Sequence, residues 1–506
     1  MAFLASAWDE SRPRVSIIVI SSLVGLLVVA SIFQRLQRWQ QLRHVPGPRL
    51  AGFTSLWITW RHIRATIHEE CKDVAEKYGP LVRIGPNEVI CTDLETIHRI
   101  CSFKSGYRKD NWYRIGRMSK DQDSVFTTLD PELRREKKKK ISPAYAGKGS
   151  DSFEHGVDRG IAILIDSIET RYANQSIPMD LARQVHFGIL DTLGEVAYSK
   201  PLGFLANNKD MGNFLKINEE TLPFVFILSN YVSIFKLLHK WPFNLLLPRA
   251  GDQVGLGAVM GFTTGLIDQR LRPGVEPQRD ILQSFIANGL TREELVEEVT
   301  LQFFAGTDTT ASSITMTLLY LLATPSAYRK LQKEIGDGIA KGLVSSPIQD
   351  VEARQMPYLQ ACIREGLRLM PPLATGAFYK AVPEGGDTVC GHYLPPGTRV
   401  ATGSMVYAMG RSKAFWGGDA DVFRPDRWLE ADEDRRLAMT MTVDLAFGHG
   451  QFGCLGKAIA FMELSKAVAE ILRRYDLSIV NPTHPLKIFT AIAWVSHDLW
   501  VKVERR

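Results

Sequence analysis

Through most of residues 150–370, apolar residues recur at i, i+3 and i+4, the spacing of helices that bury one stripe. Before that region the pattern predicts a helix from about Glu69 that stops at Gly79-Pro80, and then two short strands, LVRIGP and EVICTD. The last third alternates more and is rich in Gly and Pro. It predicts strand-like pieces at Thr388–Tyr393 and Thr398–Ala401, a helix from about Leu455 to Arg474, and closing strands. The pattern is mainly α with minor β, in one large domain, with no fixed-period repeat and no long linker.

Val15–Phe33 departs from that periodicity, being nineteen residues without a charge. A helix of that length spans about 28 Å, close to the hydrocarbon thickness of a bilayer, and predicts a single transmembrane anchor. A cleaved signal peptide and a buried core helix are the competing readings. Arg35, Arg38 and Arg43 follow the segment, whereas the charges before it cancel, so the bulk of the chain is expected on the cytosolic side. Val45-Pro46-Gly47-Pro48 cannot continue a helix and makes a stiff hinge.

Composition changes this picture little. A net charge of +6 on 506 residues argues against a nucleic-acid binder. The six cysteines (Cys71, Cys91, Cys101, Cys362, Cys390 and Cys454) contain no CxxC pair, so neither a zinc site nor a disulfide scaffold is expected.

Candidate chemistry gathers in four places. Phe447-Gly448-His449-Gly450-Gln451-Phe452-Gly453-Cys454-Leu455-Gly456 contains a GxGxxG pattern after a candidate strand at Thr440–Phe447, with Asp476 some twenty residues on. A dinucleotide-binding fold would need far more chain after Asp476 than remains, and no alternating strands and helices precede it. The alternative centres on Cys454 at the start of a helix. There, N–H groups and the helix dipole favour a thiolate, and the glycines let the loop lie flat against something planar. Such a thiolate suits the axial position of haem iron.

Ala305-Gly306-Thr307-Asp308-Thr309-Thr310 lies in a long helical stretch opened by Thr291 and Glu294 in capping-box spacing. Its glycine and hydroxyls predict a local distortion that opens a groove, and an acid beside a hydroxyl can pass protons. A helix carrying a few polar residues on a solvated face is the bland alternative. Glu365 and Arg368, three apart, share a helix face, and Phe423-Arg424-Pro425-Asp426-Arg427-Trp428 supplies a second arginine for that carboxylate. Lys137 to Lys140, with Arg134 and Arg135, read either as a solvated face or as a docking patch.

Taken in order, these segments resemble the cytochrome P450 family of haem-thiolate monooxygenases, most nearly its fungal microsomal, pisatin-demethylase-like members. The resemblance implies haem b with Cys454 as the axial iron ligand, Asp308 and Thr309 as the acid–alcohol pair that delivers protons, and Glu365, Arg368 and Arg427 as a structural triad. Phe447 is expected to shield the sulfur, with Gly448, Gly450 and Gly456 shaping the loop. Phe452 stands where the family usually places a basic residue, so propionate contacts fall to Arg134, Lys138, Lys380 and His449. The family layout puts Phe303, Phe304, Ala305, Leu373, Ala374, Thr375 and Ile492 around an apolar small-molecule substrate, such as one of secondary metabolism.

The layout implied is a lumenal segment (1–14), the anchor (15–33), the hinge (34–50) and a cytosolic haem domain (51–506) at the endoplasmic reticulum. The protein would be a monomer in membrane lipid, taking electrons from NADPH through a cytochrome P450 reductase. A haem-thiolate isomerase or dehydratase needing no external electrons is the other reading; such enzymes usually lack the acid–alcohol pair.

Overall fold

A computed structural model describes residues 36–506 apart from 119–121, 148–152, 239, 250, 253–254 and 403–404, together with positions 22, 25 and 33. The expected anchor at 15–33 and the segment before it lie outside the described residues, isolated positions excepted.

The spine is a helix of 32 residues, Arg292–Ala323. The expected capping box starts it: Glu294 N donates to Thr291 Oγ1 (3.3 Å) while Thr291 N donates to the Glu294 carboxylate (3.0 Å). Most of its length is buried, because helices Leu181–Tyr198, Gly255–Arg270, Pro357–Leu369 and Lys457–Arg474 pack around it. The approach of Pro357–Leu369 depends on Gly366, where a Cβ would sit 2.4 Å from Thr317 Oγ1.

A five-stranded sheet stands to one side, in the order 81–83, 88–91, 399–401, 379–381, 108–109. Neighbours are antiparallel except 88–91 with 399–401, and the register sets Lys109 opposite Lys380. A three-stranded sheet joins Met179–Asp180, Trp500–Arg505 and Tyr475–Ile479. The two apolar cores follow this division: one surrounds the spine helix, and the other lies beneath the larger sheet.

The candidate strand at Thr440–Phe447 is not one. Asp432 caps a helix over Glu433–Asp444 by accepting from Arg435 N (2.8 Å), and a short 3₁₀ turn, Leu445–Phe447, completes it. The cap starts a helix that overrides the local alternation. Asp476 lies in the three-stranded sheet and accepts from Gln332 (2.7 Å), so the dinucleotide reading has no sheet to rest on. The expected distortion at Ala305–Thr310 is absent too, as the spine helix runs through it unbroken.

Candidate functional site

The loop before the last long helix is held in a narrow bend. Gly448 and Gly450 have φ of +69° and +54°, and a Cβ on Gly450 would meet the Cys101 carbonyl at 2.3 Å. The bend closes where Cys454 N donates to the Phe447 carbonyl (2.7 Å). This leaves Cys454 just ahead of helix Lys457–Arg474, with the N–H groups of Gly456 and Lys457 directed at its sulfur. Burial raises the thiol pKa most, while those N–H groups and the Lys457 and Lys138 cations oppose it. Cys454 keeps accessible surface, and that surface faces the cavity beside the loop.

That cavity has a volume of about 1200 Å³ and lies between the Cys454 loop and the spine helix. Ala305, Gly306 and Thr309 face it from the helix, and a Cβ at Gly306 would touch nothing within 4 Å. The groove thus comes from a missing side chain and not from a broken helix. Thr309 Oγ1 donates back to the Ala305 carbonyl (2.8 Å), as Thr307 does to Phe303 (2.7 Å). These i−4 bonds satisfy the hydroxyls within the helix.

Phe304, Leu373 and Ile492 line the cavity as expected, together with Leu301, Val225 and Leu228. Phe303 does not. One residue turns the helix by about 100°, and Phe303 is buried against Tyr198, Phe214 and Phe262. Ala374 and Thr375 also turn away, Ala374 into a cluster with Tyr407 and Trp494, while the Thr375 carbonyl meets His62 Nε2 (3.4 Å).

The cavity rim beside the loop is cationic. Lys109, Arg134, Lys138 and Lys380 all line it. Arg134 donates to Gln451 Oε1 (2.8 Å), Lys109 to the carbonyls of Val125 (3.0 Å) and Phe126 (2.8 Å), and Lys380 to Tyr113 and the Phe378 carbonyl. Burial, with Arg134 adding to it, pushes Lys380 down to about 8, and Lys109 falls well below the usual lysine range. His449 lines the same rim but stacks flat on His98, centroids 4.0 Å apart. Of the lysine run, Lys138 turns inward and Lys137 and Lys140 pair with Glu294, so the outward patch is smaller than the sequence suggests.

Asp308 also faces this cavity, and it borders a second one of about 180 Å³. His186 Nε2 lies 2.8 Å from its Oδ1, and Asn218 donates to both oxygens (3.3 and 3.1 Å). Nothing in the sequence marks His186 or Asn218, which come from two other helices. Arg183, Asp180, His497 and Asp498 complete this polar chamber.

The expected triad is assembled. Arg368 grips Glu365 with two bonds (2.8 and 2.7 Å), Arg427 Nε donates to it (2.9 Å), and Trp428 Nε1 adds a bond (2.9 Å) that the sequence reading missed. All four are buried, behind the cavity rather than in it.

With this geometry in hand, the comparisons are informative. The family model described as Cytochrome P450 matches residues 46–503. The chain is 34% identical over 499 residues to Cytochrome P450 monooxygenase ABA1 of Pyricularia oryzae, covering 96% of this chain and 97% of that one. It is 36% identical over 471 residues to Cytochrome P450 monooxygenase aba1 of Botryotinia fuckeliana, with 91% and 92% covered. Cytochrome P450 monooxygenase cicH of Emericella nidulans is 31% identical over 482 residues, with 92% and 94% covered.

Proposed function

Because this chain belongs to the cytochrome P450 family and is a monooxygenase by class, we propose that Cys454 is the axial ligand of its haem iron. The cavity above Cys454 then holds an apolar small molecule into which one oxygen atom of O2 is inserted. The observation that carries this is the placement of Cys454: its sulfur opens onto a cavity roofed by Gly306 and Thr309 and rimmed by four cations. A flat apolar group with two carboxylates fits each of these features. Among the described residues no other cluster of His, Cys, Asp or Glu could hold a metal ion.

When bound, the haem supplies O–O bond cleavage, favoured by electron donation from the thiolate. The chain's own residues do the rest. The N–H groups of Gly456 and Lys457 point at the sulfur and oppose the burial that raises its pKa, so they would steady the thiolate once iron is bound. Phe447 closes its flank, its ring packed on Phe461 at 5.0 Å. Arg134, Lys138 and Lys380 take the propionates. Phe304, Leu373 and Ile492 exclude water and orient the substrate. Asp308, steadied by His186 and Asn218, carries protons from the polar chamber, and the Thr309 hydroxyl hands them on beside Gly306. Such proton delivery favours the monooxygenase over an isomerase or dehydratase, which takes no external electrons and has no O2 to reduce.

Electrons come one at a time from an NADPH-dependent cytochrome P450 reductase, and the substrate belongs to fungal secondary metabolism. The protein sits in the endoplasmic reticulum membrane by the anchor at 15–33, with residues 51–506 in the cytosol. Among the described residues no single helix is long and apolar enough to cross a membrane. What supports membrane contact in the body is an exposed apolar face: Leu56, Trp60 and Ile63 on one helix, which packs against Phe214–Leu228, and Leu237, Trp241 and Leu245 just beyond.

The test is the difference spectrum of the reduced, carbon monoxide-bound protein. The wild type is expected to show the red-shifted Soret band of thiolate ligation, and Cys454→Ala to lose it. A Cys454→Ala protein with the wild-type spectrum would refute the assignment.

A further inference from the structure

We infer that Phe452 is a positioning residue: its ring holds Arg134 and Lys380 at the rim of the cavity, where they would receive the carboxylates of a bound haem. This rests on the haem reading above. Arg134 Cζ lies 4.7 Å from the centroid of the Phe452 ring and Lys380 Nζ lies 4.5 Å from it. Three separate segments meet at this ring. Arg134 comes from helix Pro131–Tyr145, Lys380 from the larger sheet, and Phe452 from the turn two residues before Cys454.

The cations need such a holder. Lys109 and Lys380 are opposite one another in register, a cross-strand pairing of like charges that is unfavourable by itself. Both also reach the ring of Tyr113, at 4.8 and 4.7 Å. Arg134, Lys138 and Lys380 all act to repel charge on Lys109, and Glu298 is the carboxylate that offsets them. Among the described residues no carboxylate pairs with Arg134, Lys138 or Lys380 at contact distance; their bonds go to Gln451, to Tyr113 and to backbone carbonyls. A cluster of this kind waits for an anion. Two aromatic rings keep it assembled until one arrives, since a desolvated cation over a ring face is stabilised without neutralising its charge. A basic side chain at 452 would add a further cation and remove the ring that Arg134 and Lys380 both contact.

The experiment follows transfer of haem from the holoprotein to excess apomyoglobin by visible absorbance, a readout independent of turnover. Phe452→Leu is expected to release haem about tenfold faster, and Phe452→Tyr, which keeps the ring, within about twofold of wild type. Phe452→Arg is expected to release it faster as well, despite the added positive charge. Lys380→Met also quickens release, and Phe452→Leu then has a smaller effect in the Lys380→Met background, because the ring acts through that cation. If Phe452→Leu does not accumulate with haem, Phe452→Met takes its place. Release at the wild-type rate from the ringless variants, slower release from Phe452→Arg, or strict additivity with Lys380→Met would each overturn the inference while leaving the haem reading intact. A wild-type protein that takes up no haem would overturn both.

Discussion

Thr309 illustrates how little separates a structural hydroxyl from a working one. Its proton is given to the Ala305 carbonyl, within the helix, and the space beside Gly306 lies next to it. Rotating that hydroxyl toward the cavity costs one intrahelical bond, on the order of 1 kcal/mol. Thr309→Ala is therefore expected to keep its haem spectrum and to consume NADPH. Product formed per NADPH should fall about tenfold or more, with hydrogen peroxide making up the difference; tightly coupled turnover in this variant would remove the hydroxyl from proton delivery. Cys454, Asp308 and Thr309 could be proposed from the sequence because each stands in a short motif that holds its own chemistry. His186 was not readable, since its tie to Asp308 exists only once two helices have packed. Phe303 was misread for the converse reason: adjacent positions on a helix look alike in sequence yet point about 100° apart.

Elements are joined here by buried polar groups whose protonation matters. Glu463 on helix Lys457–Arg474 is bonded to Thr310 on the spine helix, and burial pushes its pKa up to about 8. A carboxyl whose folded pKa is raised above the unfolded one costs stability as it ionises. The cost is absent at pH 4.5 and below, builds from there toward pH 8, and is full above pH 8. Glu463→Gln is expected to leave stability unchanged at pH 4.5 and to raise it at pH 7 by on the order of 3 kcal/mol, as read by denaturant unfolding at the two pH values. Equal effects at both would show that ionisation plays no part. The triad behaves in the opposite sense. Glu365→Gln leaves Arg368 buried without a counter-charge and Arg427 with Asp419 alone (3.2 Å), an expected loss of about 3–5 kcal/mol, seen as a lower unfolding midpoint and poor haem incorporation. The motif EGLR was legible because Glu365 and Arg368 are one helical turn apart. Gly366 between them was not, because its reason is Thr317 on a different helix. The helix at Glu433–Asp444 was missed because its cap, Asp432, lies outside the alternating stretch that suggested a strand.

At the scale of the molecule, the mainly helical plan with minor sheet was legible from periodicity and motif order, whereas the cationic rim depended on sheet register and on the meeting of distant segments. The exposed apolar face on Leu56–Ile63 and beyond Leu228 is the basis for expecting the body to bind a bilayer by itself. A chain lacking residues 1–33 is expected to sediment with phospholipid vesicles and to be released by detergent rather than by salt. Replacing Trp60 and Trp241 together by aspartate should leave it in the supernatant. A truncated wild-type chain that never sediments would confine membrane binding to the anchor.

The spine helix, finally, borders two chambers, one large and mostly apolar, the other small and polar, and Asp308 is a wall brick shared by both. Under the proposed role of Asp308, the protein would be plumbed like a house with separate supply lines. Whatever is admitted to the apolar room can change as its wallpaper of leucine, phenylalanine and isoleucine is replaced, with no alteration to the pipework behind the wall. A lineage exploring new substrates would rewrite Leu301, Phe304 or Ile492 freely and keep His186 and Asn218 untouched.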